Sequence, residues 1–300
     1  MVRHLLTLRD YDGKWITEVI DKAILMKKDI TKYYSAMANK TLLMLFMKTS
    51  TRTRCSFEAG MTQLGGHAIF LDWRASNFTL GDAKDEVRCL DRYADVIMAR
   101  VYKHEQVAVL AKHSKVPVIN ALCDMYHPCQ TLADLMTIKE KKGELKGLKL
   151  TYIGDGNNVC NSLIAGCTRV GMKVAVATPK GFEPHPDVVA EAKKTGLLEL
   201  YNKPEDALPG SDVVYTDTWI SMGQEEEKEK KLKAFAGYTV SLDLLKRGKA
   251  ENALIMHCLP AHRGYEISDD ALDSENSVVF DEAENRMHAQ KALMLKLLED

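Results

Sequence analysis

Short apolar runs recur along the chain, separated by stretches whose apolar residues return at helix spacing. Strand-sized runs fall at 41–47, 67–72, 95–101 and 116–122 in the first half. Others fall at 148–153, 173–178, 197–201, 213–219 and 254–259 in the second, with a last one at 277–280. Ile16, Val19, Ile20, Ala23 and Ile24 make one apolar face, which predicts an opening helix over 14–35. Phe57, Met61 and Leu64 do the same for a helix that Gly65-Gly66 closes. Further helices are predicted over 83–93, 104–113 and 131–143, and a closing one from Glu284 to Leu298. Strand alternating with helix implies right-handed crossovers and parallel sheets covered on both faces. The pattern therefore predicts an α/β protein with two doubly wound domains, joined by the 131–143 helix.

Composition narrows the function classes. The 300 residues supply enough chain for two buried cores, and a net charge of −1 gives no overall attraction to nucleic acid or to an anionic membrane. The apolar runs are too short to cross a bilayer, and Met1–Thr7 lacks the apolar region of a signal peptide. Seven cysteines, an odd number with no C-x-x-C pair, read as reduced thiols of a cytoplasmic protein, and no zinc-ligand spacing appears. The densest charge run, from Glu225 to Lys233, reads as a solvated helix face with opposite charges at i,i+4.

Chemistry collects where the strands end. Lys48-Thr49-Ser50-Thr51-Arg52-Thr53-Arg54 lies between the first strand and the first turn of the next helix. A helix N-terminus already favours an anion, hydroxyl groups add donors, and an Arg fork suits phosphate oxygens. This stretch reads as a phosphate cradle. Arg100 ends the third strand, and His127 and Gln130 follow the fourth. Gly154-Asp-Gly-Asn-Asn158 follows the first strand of the second half, Asp217 ends a later strand, and His257-Cys258 end another. Ligands of open parallel sheets bind beyond the carboxyl ends of the strands, so two sheets facing a shared cleft would bring these groups together. Each has a plainer reading too: Cys258 as a small core residue, Asp217 as a turn former, His127 as a helix cap. The glycines at 154 and 156 suggest a dinucleotide loop, but Val159 replaces the third glycine and no acidic residue follows the next strand. Asn157 and Asn158 suit a small polar substrate better.

Taken together, Ser50-Thr-Arg-Thr-Arg54, His127-Pro-Cys-Gln130, Asp217-Thr-Trp-Ile-Ser-Met-Gly223 and His257-Cys-Leu-Pro260 resemble, in this order, the motifs of ornithine carbamoyltransferases. The likeness runs from the first helix to Glu284-Asn-Arg286 and the closing helix. The first motif marks the carbamoyltransferase superfamily at large; Ser221-Met-Gly and His-Cys-Leu-Pro point to its ornithine branch. The resemblance implies carbamoyl transfer from carbamoyl phosphate to the δ-amine of L-ornithine, giving citrulline and phosphate, with a place in arginine biosynthesis. It implies a carbamoyl-phosphate domain at 1–136, on which the closing helix 285–300 packs back, and an ornithine domain at 137–284.

By motif position, the resemblance gives Ser50, Thr51, Arg52 and Thr53 to the phosphate, and Arg100 to phosphate and carbonyl oxygen. His127 would donate to the carbonyl oxygen and Gln130 would orient the carbamoyl amide. Asn158, Asp217, Ser221 and Met222 would hold ornithine; Cys258 and the Leu259 carbonyl would lie beside the reacting centre, with Arg286 completing that wall. It further implies a homotrimer with sites at subunit interfaces, a lid over 220–236, and no metal or organic cofactor. One region departs from the pattern. Family members often carry Glu-Ser and then Asp-Thr where this chain has Asn77–Glu86, and Lys84 is a candidate for a cation crossing to a neighbouring subunit. Two other functions fit the fold: a carbamoyltransferase for another amine such as putrescine, and a non-catalytic metabolite-binding protein.

Overall fold

The computed structural model describes residues 2–220 and 228–300. Ser221 and Met222, and with them 221–227 of the expected lid, lie outside the described residues. The chain divides into two compact units, Met1–Met136 with Glu284–Asp300, and Thr137–Ala283.

The first unit runs through α1 (Gly13–Lys28), β1 (Thr41–Phe46), α2 (Thr51–Gln63), β2 (His67–Asp72), α3 (Ala83–Leu90), β3 (Val96–Arg100), α4 (His104–His113) and β4 (Val118–Leu122). Then α5 (Pro128–Lys142) carries the chain onward. The second unit holds β5 (Lys149–Ile153), α6 (Asn158–Arg169), β6 (Lys173–Ala177), α7 (Pro186–Lys193), β7 (Leu198–Tyr201), α8 (Pro204–Ala207) and β8 (Val213–Thr216). It continues with α9 (Lys228–Ala234), α10 (Leu242–Arg247), β9 (Leu254–His257) and α11 (Asp269–Leu272), and α12 (Val279–Glu299) leads back into the first unit.

Every strand pair is parallel, as the alternating pattern requires. Strand order is β2-β1-β3-β4 in one sheet and β7-β6-β5-β8-β9 in the other. Each order has one reversal. The chain leaves β1 toward β2 and returns to lay β3 on the other flank; it likewise leaves β5 toward β6 and returns to lay β8. The two switch points, between β1 and β3 and between β5 and β8, are where an open α/β sheet forms its ligand crevice.

Several elements differ from the sequence pattern. The opening helix stops at Lys28, where Asp29 turns out of helical geometry (φ −149°) and accepts the Thr31 N–H to start a 3-10 turn over Ile30–Tyr33. Pro128 starts α5 three residues early, since proline tolerates the first helical turn, and this puts Gln130 inside the helix. The apolar run at 277–280 is not a strand: Ser277 makes one bridge to Ile255, and Val279 already begins α12.

The charged run is the larger correction. Its described part forms α9, and Lys231 is only 2% exposed, with Nζ 2.6 Å from Asp155 Oδ2 and 2.8 Å from the Trp219 carbonyl oxygen. A solvated face does not describe that side. From Glu284 onward α12 is part of the first unit. Trp15 Nε1 donates to Asp300 at 2.7 Å, Lys296 pairs with Glu18 at 3.0 Å, and Ala292, Leu293 and Met294 are buried.

Candidate functional site

In the first unit, β1 delivers the chain to Ser50, whose extended backbone (φ −164°, ψ 109°) makes it the N-cap of α2. Its hydroxyl accepts the Thr53 N–H at 3.3 Å. Phe57, Met61 and Leu64 bury the opposite face and fix the direction of the helix, so its positive end opens at the β1–β3 switch point. Thr51 and Arg52 are exposed there, whereas Thr53 is buried. Arg54 is turned aside: it pairs with Glu58 at 2.8 Å and lies over the Phe70 ring. Lys48 sets its ammonium 4.6 Å from the Tyr102 ring centre.

Arg100 ends β3 opposite Phe46 and is buried, as are His127, Gln130 and Arg286. Arg286 donates from one guanidinium nitrogen to Gln130 Oε1 at 2.6 Å and from another to Thr53 Oγ1 at 3.5 Å. Gln130 Nε2 donates to Asp134 Oδ1 at 2.8 Å, so its amide is held on both sides. Arg286 therefore takes its place with Thr53 and Gln130. Burial pushes the His127 imidazole well below its ordinary range, and the positive charges of Arg286, Arg100 and Arg52 push the same way. At neutral pH this ring is a neutral hydrogen-bonding group. The whole arrangement is a pocket of positive charge and hydroxyl donors suited to an anion carrying an acyl-type oxygen.

In the second unit, the Gly154–Asn158 loop leaves β5 and Asp217 follows β8, one on each side of the other switch point. Asn157 caps α6, its Oδ1 accepting the N–H groups of Val159 and Cys160 at 3.0 and 3.1 Å. Its Nδ2 donates to Asp217 Oδ2 at 2.7 Å. Asp217 Oδ1 accepts from the Thr218 N–H at 2.8 Å and from the Cys258 thiol at 3.0 Å. A carboxylate offers about four lone-pair sites, so these three donors fix Asp217 and leave capacity for one more. The three donors are an amide, a backbone N–H and a thiol, all uncharged. Asn158 opens α6 and is half-buried.

Gly156 owes its place to packing. A Cβ there would lie 2.3 Å from Pro184 N and 2.4 Å from the Glu183 carbonyl carbon. That close approach, and not a pyrophosphate, explains the second glycine of the loop. His257 is structural as well: Nδ1 accepts the Leu259 N–H at 2.8 Å, which places the ring proton on Nε2, 3.1 Å from Glu266 Oε1. Although Asp217, His257 and Cys258 bring a carboxylate oxygen, a ring nitrogen and a sulfur within 4.8 Å of one another, both His257 nitrogens are thus engaged. The brace holds Leu259 in the left-handed region (φ 55°), a strained conformation for a branched side chain. Lys84 pairs with Asp82, the cap of its own helix, at 3.0 Å.

Sequence reasoning missed Asn157 as the partner of Asp217, because two adjacent asparagines give no sign of which one caps. It also missed the buried Lys231–Asp155 pair. A lysine inside a charged run carries no signal of burial except its spacing from Phe235, which packs beside Trp219.

Comparisons with known proteins give the family. The aspartate/ornithine carbamoyltransferase carbamoyl-P binding domain matches residues 3–140, and the Asp/Orn binding domain of the same family matches residues 146–297. The chain is 50% identical over 304 residues to an ornithine carbamoyltransferase of Pyrococcus horikoshii, covering 99% of this chain and 96% of that one. It is 48% identical over 303 residues to one of Methanocaldococcus jannaschii, covering 99% of each. Among solved structures, ornithine carbamoyltransferase from Pyrococcus furiosus superposes with a TM-score of 0.92 at 49% identity, covering 97% of this chain and 96% of that chain. The Giardia lamblia ornithine transcarbamoylase gives 0.90 at 36% identity, covering 100% and 99%. The chain belongs to the aspartate/ornithine carbamoyltransferase family.

Proposed function

We propose that this protein transfers the carbamoyl group of carbamoyl phosphate to the δ-amine of L-ornithine, giving L-citrulline and phosphate by direct attack. The observation that carries this reading is the pairing of two unlike crevices. One switch point gathers Arg52, Arg100, Arg286 and hydroxyl donors for an acyl phosphate, and the other holds a carboxylate fixed by three donors for an ammonium group. We assign residues 1–136 with 285–300 to carbamoyl phosphate and residues 137–284 to ornithine.

Attack of a neutral amine on the carbamoyl carbon builds negative charge on the carbonyl oxygen. Arg100, Thr53 and neutral His127 are donors for that charge. Gln130 orients the amide, Ser50, Thr51 and Arg52 hold the phosphate and assist its departure, and Arg286 fixes Thr53 and Gln130. Leu259 presents its carbonyl to the carbamoyl group. In the ornithine half, Asp217 takes the α-ammonium with Asn158, Ser221 and Met222. An alkyl ammonium has a pKa of about 10.4, so the δ-amine has to be desolvated and deprotonated before it attacks. Cys258 assists by orienting it.

Support for direct attack comes from the Cys258 thiol, which donates a hydrogen bond to Asp217 Oδ1 at 3.0 Å and so acts in this geometry as a donor. A Cys258→Ser variant is expected to lose roughly tenfold or more in turnover while forming no less citrulline per carbamoyl phosphate consumed. Undiminished turnover at saturating and sub-saturating ornithine would remove Cys258 from the site, and a carbamoylated thiol in the mass spectrum would overturn direct attack.

Putrescine is the weaker substrate on this reading, because it lacks the α-ammonium that Asp217 is fixed to receive. A binding protein without activity has no use for transition-state donors such as Arg100 and His127. We further propose a cytoplasmic homotrimer. The support is β2, an edge strand whose Ile69 and Phe70 are exposed, with Leu80 and Tyr93 also uncovered in this unit. Among the described residues no helix is long and apolar enough to cross a membrane.

A further inference from the structure

The two loops that frame the second unit's crevice are tied together by one buried ammonium. Lys231 Nζ donates to Asp155 Oδ2 at 2.6 Å, on the β5 side, and to the Trp219 carbonyl oxygen at 2.8 Å, on the β8 side. Asp155 lies two residues before Asn157, which donates to Asp217. Trp219 lies two residues after Asp217. The contacts therefore close a ring from Asp217 through Asn157 and Asp155 to Lys231, and back through Trp219.

Removing an ammonium from water is costly, and helix α9 does not need it for anchorage. Phe235, just beyond the helix, is fully buried and stacks on Trp219. Lysines 228, 230 and 233 of the same run would serve a solvated helix equally well. What Lys231 supplies, and these lysines do not, is one ammonium bonded to both loops, at Asp155 Oδ2 and at the Trp219 carbonyl oxygen. With Asp155 neutralised, Asp217 is left as the carboxylate that receives a cationic ligand.

We propose that Lys231 is a positioning residue for ornithine recognition, acting through Asp155 and Trp219 to aim Asp217. The inference rests on the carbamoyl transfer reading.

The test compares steady-state kinetics of the full chain with those of Lys231→Met, Lys231→Arg and Asp155→Asn, with carbamoyl phosphate affinity measured on each. Lys231→Met is expected to raise the KM for ornithine by about 10- to 100-fold, the range that misplacement of a binding group produces. The carbamoyl phosphate Kd should stay within a factor of about two, and kcat at saturating ornithine should fall less than KM rises. Lys231→Arg, which keeps the charge and the donors, should recover most of the loss. Should Lys231→Met fail to fold, Asp155→Asn breaks the same contact from the other side and must show the same KM effect. An unchanged ornithine KM in both variants would overturn the proposal. So would a parallel loss of kcat, carbamoyl phosphate affinity and melting temperature, which is the pattern of a merely structural residue. A wild-type chain that makes no citrulline would instead defeat the functional reading on which the proposal stands.

Discussion

At the scale of single residues, His127 shows how the first unit sets its own chemistry. Its imidazole is pushed well below the ordinary histidine range by burial and by three arginines, so at neutral pH it is an uncharged ring. The same shift has a stability consequence. As pH falls below about 6.5 the unfolded chain takes up the proton that folded His127 refuses, so the unfolded state binds more protons and stability falls. The folded chain should therefore lose stability from about pH 6.5 downward, and a His127→Gln variant should lose less over the same range. His4, His104 and His288 are also lowered, chiefly by burial, so the variant removes only part of the slope. Urea denaturation at a series of pH values measures this; identical slopes for the two proteins would place His127 in an ordinary aqueous environment.

At the scale of elements, the positions of the chemical groups follow from strand ends and helix caps, and that is why much of the site was legible in the sequence. Ser50 as a cap, Arg100 at the end of β3 and Asp217 after β8 all sit where an apolar run stops and polar residues begin. What stayed hidden depends on contacts between distant elements. Ser277-Val-Val-Phe280 has the composition of a strand, but it has only one bridging partner and Phe280 is 74% exposed, so the local β preference yields to helix α12. Lys231 likewise looks like its neighbours until β5 and β8 place Asp155 and Trp219 around it. The glycine at 156 has the spacing of a dinucleotide loop, yet its reason is the chain at 182–184 packed against it, whose Phe182 carbonyl accepts the Gly156 N–H at 2.8 Å. A Gly156→Ala variant meets backbone on that side, so the loop has to shift. The expected cost is about 1–3 kcal/mol of stability together with weaker ornithine binding. Thermal unfolding alongside an ornithine titration checks both, and a variant as stable and as tight as wild type would show that the loop gives way freely.

At the scale of the whole molecule, the first unit is built from both ends of the chain. Leu5 pairs with β4, Asp300 receives the Trp15 indole, and Arg286 reaches Thr53 and Gln130, so the crevice of the first unit needs the closing helix. The exposed edge at β2 argues for association beyond the single chain. Light scattering at micromolar concentration should return three times the chain mass of 33.6 kDa, and an Ile69→Lys substitution should shift the population toward monomer. A wild-type mass equal to one chain would contradict the trimer.

In the proposed reaction, one crevice binds carbamoyl phosphate and the other binds ornithine. The direct measurement is product formation from carbamoyl phosphate with ornithine, putrescine, lysine and aspartate offered separately, using wild type and Arg52→Ala. Citrulline from ornithine is expected, with little product from the other amines and a loss of about 10²- to 10³-fold in kcat/KM for Arg52→Ala. Turnover only with another amine would overturn the roles of Asp217 and Asn158, and tight carbamoyl phosphate binding with no turnover of any amine would contradict the transferase reading altogether.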